Sequence, residues 1–139
     1  MRPKKVILHV DDNEQDLSVL SFTLSTNGYR VLSASSGEEA IALFSENAVD
    51  LVLADFSMPR MDGNQLVTKL KSIAPHVPMM LLGDPQKTEA QLHAADAFVG
   101  KKTCSVQELL ERIKVMSARK RGPRKGVQRA TPAALAVAS

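Results

Sequence analysis

The sequence predicts an α/β fold: a doubly wound, five-stranded parallel sheet with helices on both faces. Two observations predict it. Short aliphatic runs, such as VILHV (Val6–Val10) and LVLA (Leu51–Ala54), alternate with stretches whose apolar residues recur at helical spacing. Alternating βα units of this length build parallel sheets covered on both sides.

The elements follow in order. VILHV is the first strand. The next helix spans roughly Glu14–Ser25, with Leu17, Leu20, Phe22 and Leu24 as its apolar positions, and stops at the C-cap pair Asn27-Gly28. Tyr29–Ala34 reads as the second strand. Residues 35–39 open a second helix, in which Ser36 and Glu39 have capping-box spacing and Ala40, Ile41, Leu43 and Phe44 face inward. Asp50–Asp55 is the third strand, Met58–Gly63 a loop, and Asn64–Ile73 a helix with Leu66, Val67 and Leu70 on its inner face. Pro75 and Pro78 bracket the turn into a fourth strand, Met79–Leu82. A polar stretch leads to a short helical pattern at Ala90–Ala95 and a fifth strand at Ala97–Val99. Val106–Ser117 is the last helix, with Val106, Leu109, Leu110, Ile113 and Met116 at helical spacing.

Composition sets the outer limits. A chain of 139 residues holds one domain with a real core. No apolar run approaches the ~20 residues of a membrane span, and the basic N-terminus lacks the apolar length and cleavage site of a signal peptide. The single Cys104 fits a reducing compartment, so the protein is expected in the cytoplasm without membrane insertion. The net charge of +3 conceals two regions: every acidic residue lies at or before Glu111, whereas the segment from Ala118 carries a basic block, RKRGPRK. The expected division is therefore a folded domain over 1–117 and a basic, disordered tail over 118–139.

Three acidic positions carry the chemistry. Asp11 and Asp12 end the first strand and Asp55 ends the third. In an open parallel sheet the carboxyl ends of the strands face the crevice where ligands bind. If the two strands are neighbours, the carboxylates converge and require a cation. Hard oxygen ligands at this density suit Mg²⁺, or Mn²⁺, which keeps waters and shares its shell with phosphate.

The segment Asp55-Phe56-Ser57-Met58-Pro59-Arg60-Met61-Asp62-Gly63 is the most specific motif. It has a strand-ending Asp, then Met-Pro, then Asp-Gly. Together with the Asp11-Asp12 pair, and with Lys101 three residues after Phe98 on the fifth strand, it resembles the response-regulator receiver domain of two-component signalling over residues 4–117. The resemblance implies the flavodoxin-like (βα)5 receiver fold. Asp55 would be the phospho-acceptor for a sensor histidine kinase or a histidine phosphotransfer protein. Asp12, Asp55 and the Ser57 backbone carbonyl would bind Mg²⁺ directly, Asp11 through a water, and Lys101 would pair with Asp55 and then with the phosphoryl group. Gly83 and Phe98 stand at the family's switch positions.

Three features depart from that pattern. Gly83 stands where the family carries a Ser or Thr hydroxyl, with the acidic Asp84 after it. The segment from Gly83 to Lys101 is about one helical turn short. Lys102 replaces a proline that is cis in the family, and a non-proline cis bond costs about 2.5–4 kcal/mol, so a trans bond is expected here.

The functional expectation is a stand-alone receiver, because no output domain is recognisable in the 22 residues after Ser117. It would be a signalling protein rather than an enzyme, acting on an unknown downstream protein. The alternative is a pseudo-receiver, an interaction module not regulated by phosphorylation. Lys/Arg blocks bind nucleic acid by counterion release, but the tail has no aromatic residue to stack on bases, so a nucleic-acid partner is not expected. A Mg²⁺-dependent phosphohydrolase would need a second Asp two residues after its nucleophile, where this chain has Ser57.

Overall fold

The computed structural model describes residues 4–87 and 93–118. Among the described residues nine elements follow one another in the expected order: β1 (Val6–Val10), α1 (Glu14–Thr26), β2 (Arg30–Ala34), α2 (Gly37–Glu46), β3 (Leu51–Asp55), α3 (Gly63–Ile73), β4 (Met79–Gly83), β5 (Ala97–Gly100) and α4 (Val106–Ser117). The five strands form one sheet in the order β2-β1-β3-β4-β5, and every pairing is parallel. The chain steps outward from β1 to β2, then crosses back to β3. The strand order reverses between β1 and β3, and that reversal opens the crevice of a doubly wound sheet.

Alternation along the strands creates two cores. Leu8, Val10, Val52, Ala54, Met79 and Leu81 face α2 and α3, where Phe44, Leu66, Val67 and Leu70 cover them. Ile7, Leu51, Leu53, Met80, Leu82 and Val99 face α1 and α4, under Leu24, Leu109, Ile113 and Met116. Burying each large aliphatic contributes about 1.5–3 kcal/mol.

Side-chain caps set the helix starts. Asn13 accepts from the Asp16 amide, and Ser36 from that of Glu39. Asp62 with Gln65, and Ser105 with Glu108, close full capping boxes. α1 ends at Asn27, followed by Gly28 at φ +95°, the left-handed conformation glycine adopts most cheaply.

Some expectations change. Leu24 is buried but Phe22 is 71% exposed: at 3.6 residues per turn, two positions back from Leu24 lies on the opposite face. Val106, expected on the inner stripe of α4, is also exposed. Of the short helix expected at Ala90–Ala95, residues 90–92 lie outside the described residues, His93 is irregular, and Ala94 and Ala95 lie in a bend that runs to Asp96. Residues 119–139 of the basic tail likewise lie outside them. Among the described residues there is no cis peptide bond, so the bond between Lys101 and Lys102 is trans. No helix among them is long and apolar enough to cross a membrane.

Gly63 fixes the return of the β3–α3 loop. Its amide donates to the Phe56 carbonyl at 2.8 Å. A Cβ at Gly63 would collide with the Asp55 backbone carbonyl and press on the Leu81 side chain. Gly63→Ala should therefore destabilise the domain by about 1–3 kcal/mol, the usual cost of overpacking. A denaturant midpoint equal to that of wild type would show that the loop relaxes freely.

Candidate functional site

Strand order brings the acidic residues together. β1 and β3 are neighbours, with Val10 beside Ala54, so the next residues, Asp11 and Asp55, end side by side. One carboxylate oxygen from each of Asp11, Asp12 and Asp55 lies within 4.8 Å of the others. Asp11 and Asp55 are buried and Asp12 is exposed. Asp11 is fixed on both sides: its amide donates to the Ala34 carbonyl at 3.1 Å, and its Oδ1 accepts from the Asn13 amide at 3.0 Å.

Lys101 reaches this cluster from β5. Its amide donates to the Gly83 carbonyl at 2.8 Å, which holds it to the end of β4. Gly83 stands between β3 and β5 and projects no side chain. Lys101 Nζ lies 3.1 Å from Asp55 Oδ2, 3.0 Å from Asp11 Oδ2 and 3.2 Å from Asp16 Oδ2. Asp16 was not foreseen as part of this cluster. Its signal was available: α1 begins three residues after Asp11, so its first turn stands over the strand end.

The electrostatics follow from burial. Burial pushes the Asp55 carboxyl up to about 6, against the opposing hydrogen bond and charge of Lys101, and the nearby Asp11 charge pushes the same way. Burial pulls the Lys101 ammonium down, but hydrogen bonds and attraction to Asp11 and Asp55 outweigh it, and its pKa is raised on balance. His9 is fully buried one strand residue before Val10, bonded through Nδ1 to Ser21 Oγ at 2.9 Å. Burial lowers its pKa to about 4, keeping it neutral.

The donor set fits a hard divalent cation. It is all oxygen and open on the Asp12 side, and Asp55 is hard to ionise without a positive partner. Beside it lies a cleft of about 510 Å³ whose lining includes Asp55, Ser57, Gly83, Asp84, Lys101 and Lys102. Asp84 turns into its own loop, its Oδ1 accepting from the Gln86 amide at 3.0 Å. Phe98, at the other position where the resemblance expects a switch, is half-buried against the α2–α3 core, and the His93 ring stacks on it at 5.6 Å.

These shifts have opposite effects on stability. A carboxyl raised to about 6 costs the fold stability above that pH, and the cost fades as pH falls through 6 toward 4. A histidine lowered to about 4 costs the fold stability as pH falls from 6.5 toward 4. Asp55→Asn, without divalent metal, should be more stable than wild type at pH 7 by on the order of 1–3 kcal/mol. Its advantage should vanish near pH 4, leaving the His9 slope exposed. Equal melting temperatures at pH 7 would rule out a strained Asp55 charge.

Comparison with known proteins agrees with this geometry. The family model for the response regulator receiver domain matches residues 7–114. The response regulator MprA of Mycobacterium sp. (strain KMS) is 33% identical over 116 residues, covering 81% of this chain and 50% of that protein. The transcriptional regulatory protein GlrR of Escherichia coli (strain K12) is 37% identical over 76 residues, 55% of this chain and 17% of that protein. This chain thus spans half or less of the length of these curated relatives. Among solved structures, the response regulator TrrA of Thermotoga maritima, in complex with Mg²⁺ and BeF, superposes with a TM-score of 0.75 at 31% identity, covering 81% of this chain and 98% of that one. A receiver domain protein from Clostridium thermocellum gives 0.75 at 30% identity, over 81% and 94%. With its parallel sheet, its strand-end carboxylates and its lysine, the chain belongs to the response-regulator receiver domains of two-component systems.

Proposed function

We propose that this domain accepts a phosphoryl group on Asp55 from a phosphohistidine of a sensor histidine kinase or phosphotransfer protein, in the cytoplasm, and signals through protein–protein contacts as a stand-alone receiver. The carrying observation is Asp55 itself: a strand-end carboxylate hydrogen-bonded by Lys101 and clustered with Asp11 and Asp12. An Asp55 oxygen attacks phosphorus, the phosphorus–nitrogen bond to the donor imidazole breaks with its electrons going to nitrogen, and an acyl phosphate results. Phosphoryl transfer asks the protein mainly for positioning and charge stabilisation. Lys101, held to the β4 end by its backbone, would follow the charge from the Asp55 oxygen to a phosphoryl oxygen. Asp12, Asp55 and the Ser57 carbonyl would hold Mg²⁺ or Mn²⁺, with Asp11 acting through water, and the cation would neutralise charge on the transferred oxygens.

A second reading is favoured by Gly83: the pseudo-receiver, which binds partners without being phosphorylated. Incubation with Mg²⁺ and a small acyl phosphate separates the two. Wild type should gain one phosphoryl mass and Asp55→Asn none; an unlabelled wild type would support the pseudo-receiver.

Metal binding is testable by itself. Asp12→Ala should abolish Mg²⁺ binding seen by titration, because it removes one of the three carboxylates that converge in the cluster. A variant that binds as well as wild type would place the cation elsewhere.

A further inference from the structure

The Lys101 ammonium, a donor with no acceptor capacity, lies within ion-pair distance of three carboxylates: Asp11, Asp55 and Asp16, at 3.0, 3.1 and 3.2 Å. The three acceptors are not equivalent. Asp11 and Asp55 are buried and belong to the oxygen cluster that would hold a cation, and Asp55 is consumed as nucleophile. Asp16 stands outside that cluster, on the first turn of α1, with its side chain about half exposed. Its backbone is secured independently by the Asn13 cap, at 3.0 Å. When a cation and a phosphoryl group occupy the crevice, Asp16 is the carboxylate left to hold the lysine. The lysine needs holding, since it starts an exposed turn and carries four rotatable side-chain bonds.

We propose that Asp16 is a positioning residue for phosphoryl transfer: it holds the Lys101 ammonium from the α1 side, so that the lysine stays aimed at the phosphoryl oxygens after Asp11 and Asp55 are engaged. This inference rests on the proposed phosphorylation of Asp55. It adds a residue that touches neither the cation nor the transferred group and acts through Lys101.

The test has two readouts on the full chain. The first is proton exchange at the Lys101 ammonium, followed by nitrogen-15 NMR without any phosphodonor. The second is the rate of Asp55 phosphorylation by a small acyl phosphate at saturating Mg²⁺. Asp16→Ala should speed the exchange and slow phosphorylation about two- to fivefold, the range of a partly exposed ion pair. Asp16→Glu should recover most of both, and the melting temperature should stay near that of wild type. In a Lys101→Ala background, Asp16→Ala should slow the reaction no further. Unchanged exchange overturns the proposal, as does an unchanged rate, or a loss that persists without Lys101. If wild type itself is not phosphorylated, the functional reading fails separately and the ammonium exchange alone decides whether Asp16 holds Lys101.

Discussion

The ammonium of Lys101 among three carboxylates is the interaction on which the site depends. Two of those carboxylates, on Asp11 and Asp55, are nearly removed from water. Taking a charge out of water costs several kcal/mol even after relaxation. One lysine cannot offset Asp11, Asp12, Asp16 and Asp55 together, and the Asp55 carboxyl remains raised despite its bond to Lys101. The Asp55 charge is therefore a burden on the fold, one that a further cation would relieve. The burden is carried by the two aliphatic cores. Their buried Leu, Ile, Val and Met side chains each contribute about 1.5–3 kcal/mol, and they lock β1 against β3. The same packing that stabilises the sheet thus forces the like charges together.

The backbone around Asp55 is held as firmly. β3 runs into Asp55, and Phe56 donates its amide to the Leu82 carbonyl at 2.7 Å, which carries the pairing with β4 one step beyond the strand. The chain then loops outward and returns at Gly63, closing on the Phe56 carbonyl. Asp62 caps α3 immediately afterwards. The Asp62-Gly63 pair is thus explained by geometry: the acidic residue starts the helix, and the glycine lets the helix start against the Asp55 carbonyl.

Much of this was legible in the sequence because it rests on local chemistry. Aliphatic runs gave the strands, and Asn27-Gly28 and Ser36 gave helix boundaries within a residue or two. The meeting of Asp11 with Asp55 required one further assumption, that their strands are neighbours. What stayed hidden depends on tertiary facing. Phe22 reads as apolar in a helical stretch, yet it turns to solvent, because composition does not reveal which arc of α1 meets the sheet. The start of α1 three residues after Asp11 puts Asp16 above the strand end, but it gives no partner for it. Only the arrival of Lys101, from a strand three positions away in the sheet order, makes it part of the site. The sequence places the acidic Asp84 directly after Gly83 without showing where it points. Its bond to the Gln86 amide is a local turn interaction, and the charge is partly spent there.

Gly83 bears on how such a site could signal. A ligand shifts a conformational equilibrium only by its differential affinity for the two states. A hydrogen bond to a charged group contributes about 1.5–3 kcal/mol, comparable with the 1–3 kcal/mol of a whole allosteric coupling. Glycine offers a phosphoryl group no side-chain donor, so that difference is absent at the end of β4. The described residues leading into β5, from His93 to Phe98, are held by bonds remote from Asp55. Asn64 Oδ1 accepts from the Ala94 amide at 2.7 Å, Asp96 Oδ2 accepts from Lys71 Nζ at 2.7 Å and from the Met79 amide at 2.8 Å, and His93 covers Phe98. A charge added at Asp55 would therefore act first through Lys101 and its partners on β1 and α1, and only weakly through β4. Such a response would be concentrated on the α1 side of the sheet, where Asp16 pairs with the lysine that bonds Asp55.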